Sequence, residues 1–141
     1  MSSAIWSNLV HPGAFIGEDC TIGQGAWIDE GVIIGDRCKV QNNAILYRGV
    51  ELEDGVFIGP GAILTNDRYP RAIETTGEPI RNGDWVLLRT LVCRGASIGA
   101  GTVVVAGVVI GAWAEVGAGS VVTKDVAPGD RVAGNPARSI R

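Results

Sequence analysis

The sequence predicts an all-β fold, a parallel β-helix of hexapeptide repeats forming one domain over residues 1–141, and three observations support this prediction. Hydrophobic residues make up 46% of the chain but aromatic residues only 6%, with 21 glycines. Val, Ile and Ala suit narrow, stacked β-structure better than a compact α/β core. A small residue often stands two positions before the repeating aliphatic residue, and glycine often follows it. The aliphatic residue itself recurs at every sixth position, interrupted once: Val10, Ile16, Ile22, Ile28, Ile34, Val40, Leu46, Leu52, Ile58, Leu64, then Val86, Val92, Ile98, Val104, Ile110, Val116, Val122.

Each hexapeptide is interpreted as one short strand and one turn, because glycine supplies the dihedral angles that tight turns need. Three hexapeptides make a triangular coil of 18 residues, so residues 18 apart stack at about 4.8 Å. We therefore expect Ile16, Ile34 and Leu52 to form one ladder. Cys20 and Cys38 are also 18 apart and are expected inside the prism as small core residues, the alternative being a disulfide or a thiol site.

The repeat is interrupted between Leu64 and Val86, which are 22 residues apart, and 22 is not a multiple of six. The charged segment with two prolines at about 66–85 is predicted to be a projecting loop, and loops of this length are usually functional. The alternative is an insertion without chemistry. Residues at about 124–141 are expected to cap the C-terminal end, and His11, the one histidine of the chain, is expected to cap the first coil.

Charge and composition argue against several classes of partner. With 12 basic and 15 acidic residues the net charge is -3, and no basic stripe is present that would bind nucleic acid. No apolar run approaches the roughly 20 residues that cross a bilayer, and the N-terminus lacks the pattern of a secretory signal. Three cysteines without metal-ligand spacing are typical of a cytoplasmic chain with reduced thiols. We therefore expect a cytoplasmic protein with neither a nucleic-acid nor a membrane partner.

The hexapeptides, together with GNPAR at 134–138, resemble the hexapeptide-repeat acyltransferases over essentially the whole chain. Within that family, VQNNAILYRGVELEDGVFIGPGAILTNDRYPRA at 40–72 is similar to the branch that N-acetylates 3-amino sugars on nucleotide carriers. The resemblance implies a left-handed helix, an exception to the usual right-handed crossover. It also implies a homotrimer with parallel axes, acetyl-CoA in a groove between two subunits, and a dTDP- or UDP-linked sugar beneath the loop.

The resemblance also implies which residues contact the acetyl donor. The pantetheine arm is expected to pass the backbone of Ala106, Gly107 and Gly119. Three cations are candidates for the phosphates of coenzyme A, because Lys and Arg make charge-assisted hydrogen bonds to phosphate: Lys124, Arg131 and Arg138. The alternative for each of them is an ordinary solvated surface charge.

The acceptor side follows from the same resemblance and from the scarcity of histidine. A hydroxyl acceptor needs a positioned base worth about 10²–10⁴-fold, whereas a sugar amine of pKa about 8 needs none to the same degree. The chain therefore favours an amine. Asn66, which matches the asparagine that orients the amine in that branch, is the predicted catalytic residue. Asp67 is an alternative as a base, and both residues could instead simply form a turn.

Four residues are expected to contact the sugar or its diphosphate: Asn43, Tyr47, Arg48 and Arg71. At the place of Arg48 the branch often has an acidic residue. Trp27 and Trp113, which fall off the core positions, are interpreted as groove or subunit-interface residues. Trp6 also lies outside the core positions of the repeat, and the sequence indicates no role for it.

Prisms of hexapeptides are also compatible with three other functions. A zinc enzyme like the trimeric carbonic anhydrases would need three histidine ligands, so no metal is expected. An O-acetyltransferase of a saccharide or small alcohol remains open, as does a structural β-solenoid without enzymatic activity.

Overall fold

The computed structural model describes residues 3–5 and 9–140, which leaves Trp6 outside the described part of the chain. These residues form short strands and no helix. The strands are β1 (Ala4–Ile5), β2 (Phe15–Ile16), β3 (Thr21–Ile22), β4 (Trp27–Ile28), β5 (Ile33–Ile34), β6 (Lys39–Val40), β7 (Ile45–Leu46), β8 (Val50–Leu52), β9 (Phe57–Ile58), β10 (Ile63–Leu64), β11 (Thr90–Val92), β12 (Ser97–Ile98), β13 (Val103–Val104), β14 (Val109–Ile110), β15 (Glu115–Val116), β16 (Val121–Val122), β17 (Arg131–Gly134) and β18 (Ala137–Ser139).

The strands form three sheets, which are the three faces of a prism. Face A has the order β1-β3-β6-β9-β12-β15-β17-β18, face B has β4-β7-β10-β13-β16, and face C has β2-β5-β8-β11-β14. Every pair is parallel except β17 with β18, which form a terminal hairpin. The parallel β-helix that the hexapeptides predict and the left-handedness that the resemblance implies are both confirmed.

The repeating aliphatic residues other than Val86 point inward, as expected. Ile28, Leu46 and Leu64 are fully buried and stack on one another. Ile16, Ile34 and Leu52 form the ladder predicted from their spacing. These contacts stabilise each coil through its neighbours, since a two-residue strand buries little by itself.

The two stacked thiols are core residues without a disulfide. Cys20 and Cys38 are buried, and each Sγ–H donates to a carbonyl, that of Gly35 at 3.0 Å and that of Glu53 at 3.1 Å respectively. Burial raises the pKa of the Cys38 thiol to about 11. Cys93 is half-buried, and burial together with the Glu53 carboxylate raises its pKa as well.

The insertion, which we define as residues 65–89, separates β10 from β11. Stacked partners are 18 residues apart in the early coils (Leu46 and Leu64) but 40 apart across the insertion (Leu64 and Val104), so the insertion adds 22 residues to one coil. The expectation that the repeat resumes at Val86 was wrong. Val86 is 74% exposed, because residues 86–89 still return the chain from the loop, and the buried repeat resumes at Val92.

We name the turns by the faces that they join: the AB corner, the BC corner and the CA corner. The insertion leaves the prism at the BC corner, between β10 on face B and β11 on face C. The AB corner is regular and contains Asn43 (φ 62°) and Gly119 (φ 70°) in the left-handed region. The CA corner contains Trp113 in the same conformation (φ 61°), with its ring against Gly95.

Candidate functional site

The BC corner brings residues from several coils into one column. Face B pairs Ile45 with Ile63, Ile63 with Val103 and Val103 with Val121. The same register continues past the strands, so the residues three positions after these stack in the order Arg48, Asn66, Ala106, Lys124. Hydrogen bonds support this continuation, since Thr65 N donates to Val104 O at 3.1 Å. Residues predicted for the acceptor, for catalysis and for the acetyl donor therefore follow one another along a single edge of the prism.

Asn66 is half-buried at the start of the insertion and is held at two points. Its Nδ2 donates to Arg48 O at 2.9 Å, and its backbone carbonyl accepts from Leu88 N at 2.9 Å. Among the described residues no donor reaches its Oδ1, so that oxygen can accept from a ligand N–H. This arrangement fits a carboxamide that orients an amine.

Asp67 forms a local turn and also faces the insertion's cavity. Its Oδ1 accepts from Tyr69 N at 3.2 Å, which is the geometry of a local side-chain turn. It also lines a cavity of about 480 Å³ formed by the insertion. A carboxylate at this position can accept a proton from a group bound in the cavity.

The walls of that cavity are mostly apolar, with two arginines and two aspartates among them. Tyr69 is 83% exposed, so one aromatic ring is open to a ligand. Of the four residues predicted to bind the acceptor, Arg71 is the one found here. The complete lining is Asp67, Arg68, Tyr69, Arg71, Ile80, Asp84, Trp85, Val86 and Leu88.

The other predicted acceptor residues lie elsewhere. Tyr47 and Arg48 are on the BC corner one coil before Asn66, and the ring of Tyr47 meets that of Trp27 edge to face, with centroids 5.3 Å apart. Asn43 is exposed on the AB corner, on the far side of face B. Within one chain, Asn43 is therefore not brought together with the other three.

The predicted donor residues flank face B. Gly119 lies on the AB corner, and a Cβ at that position would meet nothing within 4 Å. Ala106 and Gly107 lie on the BC corner, but two of their backbone groups are already bound within the chain. Ala106 O accepts from Arg68 Nη1 at 3.1 Å, and Gly107 N donates to Thr90 Oγ1 at 3.2 Å.

The three predicted phosphate-binding cations separate into two groups. Lys124 and Arg138 line one cavity of about 300 Å³ between the last coil and the terminal hairpin, together with Asp125 and Asp130. Arg131 is on face A, where its Nε donates to Glu115 Oε2 at 2.7 Å. The structure therefore places Lys124 and Arg138 together and Arg131 in a separate exposed ion pair.

Sequence reasoning missed Arg68 and Thr90. Both contact the coil after the insertion, Arg68 through Ala106 and Thr90 through Gly107. Arg68 gave no signal beyond its place in the quoted string. Thr90 did give one, because buried valines occupy the corresponding position of other coils, including Val50, its direct partner.

His11 lies on the BC corner in the first coil, where its Nδ1 accepts from Gly13 N at 2.9 Å. Three coil steps separate it from the level of Asn66, or roughly 14 Å at the usual strand spacing. In the part of the chain that the structure describes, no three His, Cys, Asp or Glu side chains form a group that could hold a metal ion. The same residues contain no helix long and apolar enough to cross a membrane.

Comparisons with known proteins agree with the repeat. The family model described as bacterial transferase hexapeptide (six repeats) matches residues 31–66 and 89–124, which leaves out most of the insertion. A second model, described as the hexapeptide repeat of succinyl-transferase, matches residues 13–48. Serine acetyltransferase 2 of Arabidopsis thaliana is 35% identical over 139 residues, which are 99% of this chain but 34% of that protein.

Two solved structures share the fold. A variant of perosamine N-acetyltransferase from Caulobacter crescentus, with one histidine replaced by asparagine and with CoA and GDP-perosamine bound, superposes with a TM-score of 0.80 at 26% identity. The match covers 100% of this chain and 57% of that one. A maltose O-acetyltransferase from Clostridium difficile gives a TM-score of 0.78 at 26% identity, covering 90% of this chain and 68% of that one. The chain thus spans little more than half of the perosamine enzyme and about a third of the plant enzyme.

Proposed function

Because the chain belongs to the bacterial transferase hexapeptide family, we propose that it transfers an acetyl group from acetyl-CoA to the amino group of a dTDP- or UDP-linked 3-amino sugar. The observation that carries the proposal is the composition of the BC corner. At the base of the insertion it offers the carboxamide of Asn66, with Oδ1 open, and the one histidine of the chain lies three coils away.

The chemistry requires little from the protein once the reactants are in place. The amine nitrogen attacks the thioester carbonyl carbon, the C–S bond breaks, and the departing thiolate receives the proton that the nitrogen loses. An amine of pKa about 8 is partly neutral at pH 7.5, so Asn66 needs only to orient it. A backbone amide of the neighbouring coil would stabilise the oxyanion.

A homotrimer with parallel axes forms part of the proposal. The outward side of face B is apolar in every coil, with Trp27, Ile45, Ile63, Val103 and Val121 in one strip, and a second subunit would cover it. Parallel axes keep equal coils at equal heights. Along the helix axis, the histidine of a neighbouring subunit would then be as far from the level of Asn66 as the chain's own His11 is.

Two of the relatives support the two candidate acceptors. Perosamine N-acetyltransferase binds CoA and GDP-perosamine, which agrees with an amine on a nucleotide-linked sugar. The maltose O-acetyltransferase supports the second candidate, O-acetylation of a saccharide or small alcohol. Asp67, next to Asn66 and lining the insertion's cavity, would be the base for a hydroxyl.

Thiol release from acetyl-CoA separates the candidates. The protein would be assayed with dTDP- and UDP-linked 3-amino sugars, with the same sugars carrying a hydroxyl at that carbon, and with maltose and serine. We expect turnover of the amino sugars alone. Turnover of an alcohol without any amino sugar would refute the amine assignment, and an inert trimer with every acceptor would favour a structural solenoid.

Asn66→Ala tests the residue assigned to the amine. We expect kcat to fall by about 10²-fold, the effect of misplacing a reactant, while the oligomer stays intact. Asn82→Ala, an exposed asparagine of the same insertion outside the cavity lining, is the matched control. Size-exclusion chromatography checks the assembly of both variants. Unchanged kcat in Asn66→Ala would remove Asn66 from the mechanism.

A further inference from the structure

Thr90 is the hydroxyl-bearing member of a column of buried valines. Face C stacks Thr90 on Val50, and the same register places Val32 and Val108 in the column. All four side chains are at most 2% exposed. Thr and Val have nearly the same shape, so packing alone does not call for a hydroxyl here, and a buried hydroxyl is costly unless it is hydrogen-bonded.

The hydroxyl of Thr90 replaces a turn hydrogen bond that the insertion removes. In the two preceding coils, the carbonyls of Asp29 and Tyr47 accept from the backbone N–H groups of Val32 (3.3 Å) and Val50 (3.1 Å), which closes the BC corner. Thr65 is the next residue in this series, but the chain leaves the prism after it. Thr90 Oγ1 donates to Thr65 O at 3.1 Å instead.

The same oxygen has a second partner on the following coil. Gly107 N donates to Thr90 Oγ1 at 3.2 Å. One buried atom therefore joins the residue before Asn66 to the residue after Ala106. These are the acceptor side and the donor side of the proposed reaction.

We propose that Thr90 is a positioning residue, whose hydroxyl fixes the distance between Asn66 and the backbone at Gly107 and so aligns the amine with the thioester. This role rests on the proposed function. Thr90 touches neither substrate and acts through the backbone of Thr65 and Gly107. Reacting atoms must approach to about 3–3.5 Å, and an error of about 1 Å costs up to 10²-fold in rate.

The experiment compares three variants. Thr90→Val keeps the shape and removes the hydroxyl, and Thr90→Ser keeps the hydroxyl. Thr102→Val is the matched control, because Thr102 is equally buried but its hydroxyl donates to Gly117 O (3.2 Å) on the uninterrupted AB corner. Gly117 O also accepts from the Ser120 hydroxyl at 2.6 Å, so the control substitution does not leave this carbonyl without a donor.

Three readouts are measured: kcat and KM for acetyl-CoA, the Kd of coenzyme A by calorimetry, and hydrogen exchange in the insertion. In Thr90→Val we expect kcat to fall about tenfold or more, coenzyme A to bind more weakly, and exchange in the insertion to accelerate. Thr90→Ser should stay near the wild type in all three readouts. Thr102→Val should keep its kcat and its Kd even if its melting temperature falls.

The inference is overturned if Thr90→Val matches the wild type, if Thr90→Ser is as impaired as Thr90→Val, or if Thr102→Val loses as much activity. If Thr90→Val does not fold, Thr90→Ser and Thr90→Ala can be compared instead, because the first keeps the hydroxyl and the second lacks it. The Kd and the exchange need no acceptor. If the proposed acceptor is wrong, the differences in Kd and in hydrogen exchange between wild type and Thr90→Val would remain. Equal turnover by wild type and Thr90→Val would refute the role of Thr90 and would leave the proposed acceptor untouched.

Discussion

The AB and BC corners border the same face but are closed by different means. On the AB corner, backbone amides donate from coil to coil: Asn43 to Gln24, Gly61 to Asn42, Gly101 to Pro60 and Gly119 to Ala100. On the BC corner, where the insertion interrupts this pattern, side chains of Asn66, Arg68 and Thr90 supply the bonds. A substitution on the AB corner should therefore act through backbone conformation and mainly change stability. A substitution on the BC corner should act through lost side-chain partners and mainly change the geometry of the site.

The largest expected effect is a loss of stability on the AB corner. A Cβ at Gly59 would lie 2.6 Å from Ala100 N and 2.7 Å from Gly99 C, so Gly59→Ala forces backbone atoms apart. We expect it to lower the free energy of unfolding by about 3 kcal/mol. Gly61→Ala, on the same turn with open space around it and φ of 69°, should cost about 1 kcal/mol. Urea unfolding of both variants measures the difference, and equal losses would contradict the backbone argument.

Titration of Cys38 tests whether the interior of the prism shields this thiol from water. Its pKa is raised from 9.0 to about 11, so the folded state keeps the proton longer than the unfolded state does. The stability that this contributes is fully present below pH 9 and is lost as the pH rises through 11. It amounts to about 3 kcal/mol. Unfolding of the wild type and of Cys38→Ala at pH 8.5 and 11 isolates this contribution. If both proteins lose the same stability, the thiol is not shielded as the structure indicates.

The smallest expected effect is at Arg68, which ties the insertion to Ala106 from an exposed position. Arg68→Met keeps most of the apolar stem and removes one hydrogen bond, so stability should fall by less than about 1 kcal/mol. Hydrogen exchange within the insertion should nevertheless accelerate. Arg81→Met, in the same insertion but outside the cavity lining, should leave exchange unchanged. Equal exchange in the two variants would show that Arg68 does not hold the insertion.

The fold could be predicted because its signal is local. Each hexapeptide contains its own strand, its own turn and one inward aliphatic residue, and 18-residue stacking follows from three of them. Val86 shows the limit of that reasoning. It is an aliphatic residue in phase with later repeats, yet it is exposed, because inward orientation depends on contact with a neighbouring coil. Counting Val86 as a repeat would move every later residue by one face of the prism.

The site was less predictable for the same reason. That Asn66, Ala106 and Lys124 share a column follows from a stacking distance of 40 residues across the insertion, which only the structure supplies. The resemblance selected Asn66 and Arg71 in the region of the insertion. It could not indicate that Arg68 and Thr90 bind the backbone at Ala106 and Gly107, because those contacts depend on how the insertion folds back onto the next coil.

The two ends of the insertion meet where Leu88 N donates to Asn66 O at 2.9 Å, and the strands beyond it pair as regularly as those before it. Most of the segment between those ends can therefore change in length and composition without repacking the prism. On the proposed function, the prism and the segment that would contact the acceptor can accumulate mutations separately. If the segment contacts the acceptor as proposed, its exchange between relatives would change the acceptor specificity and leave the prism unchanged.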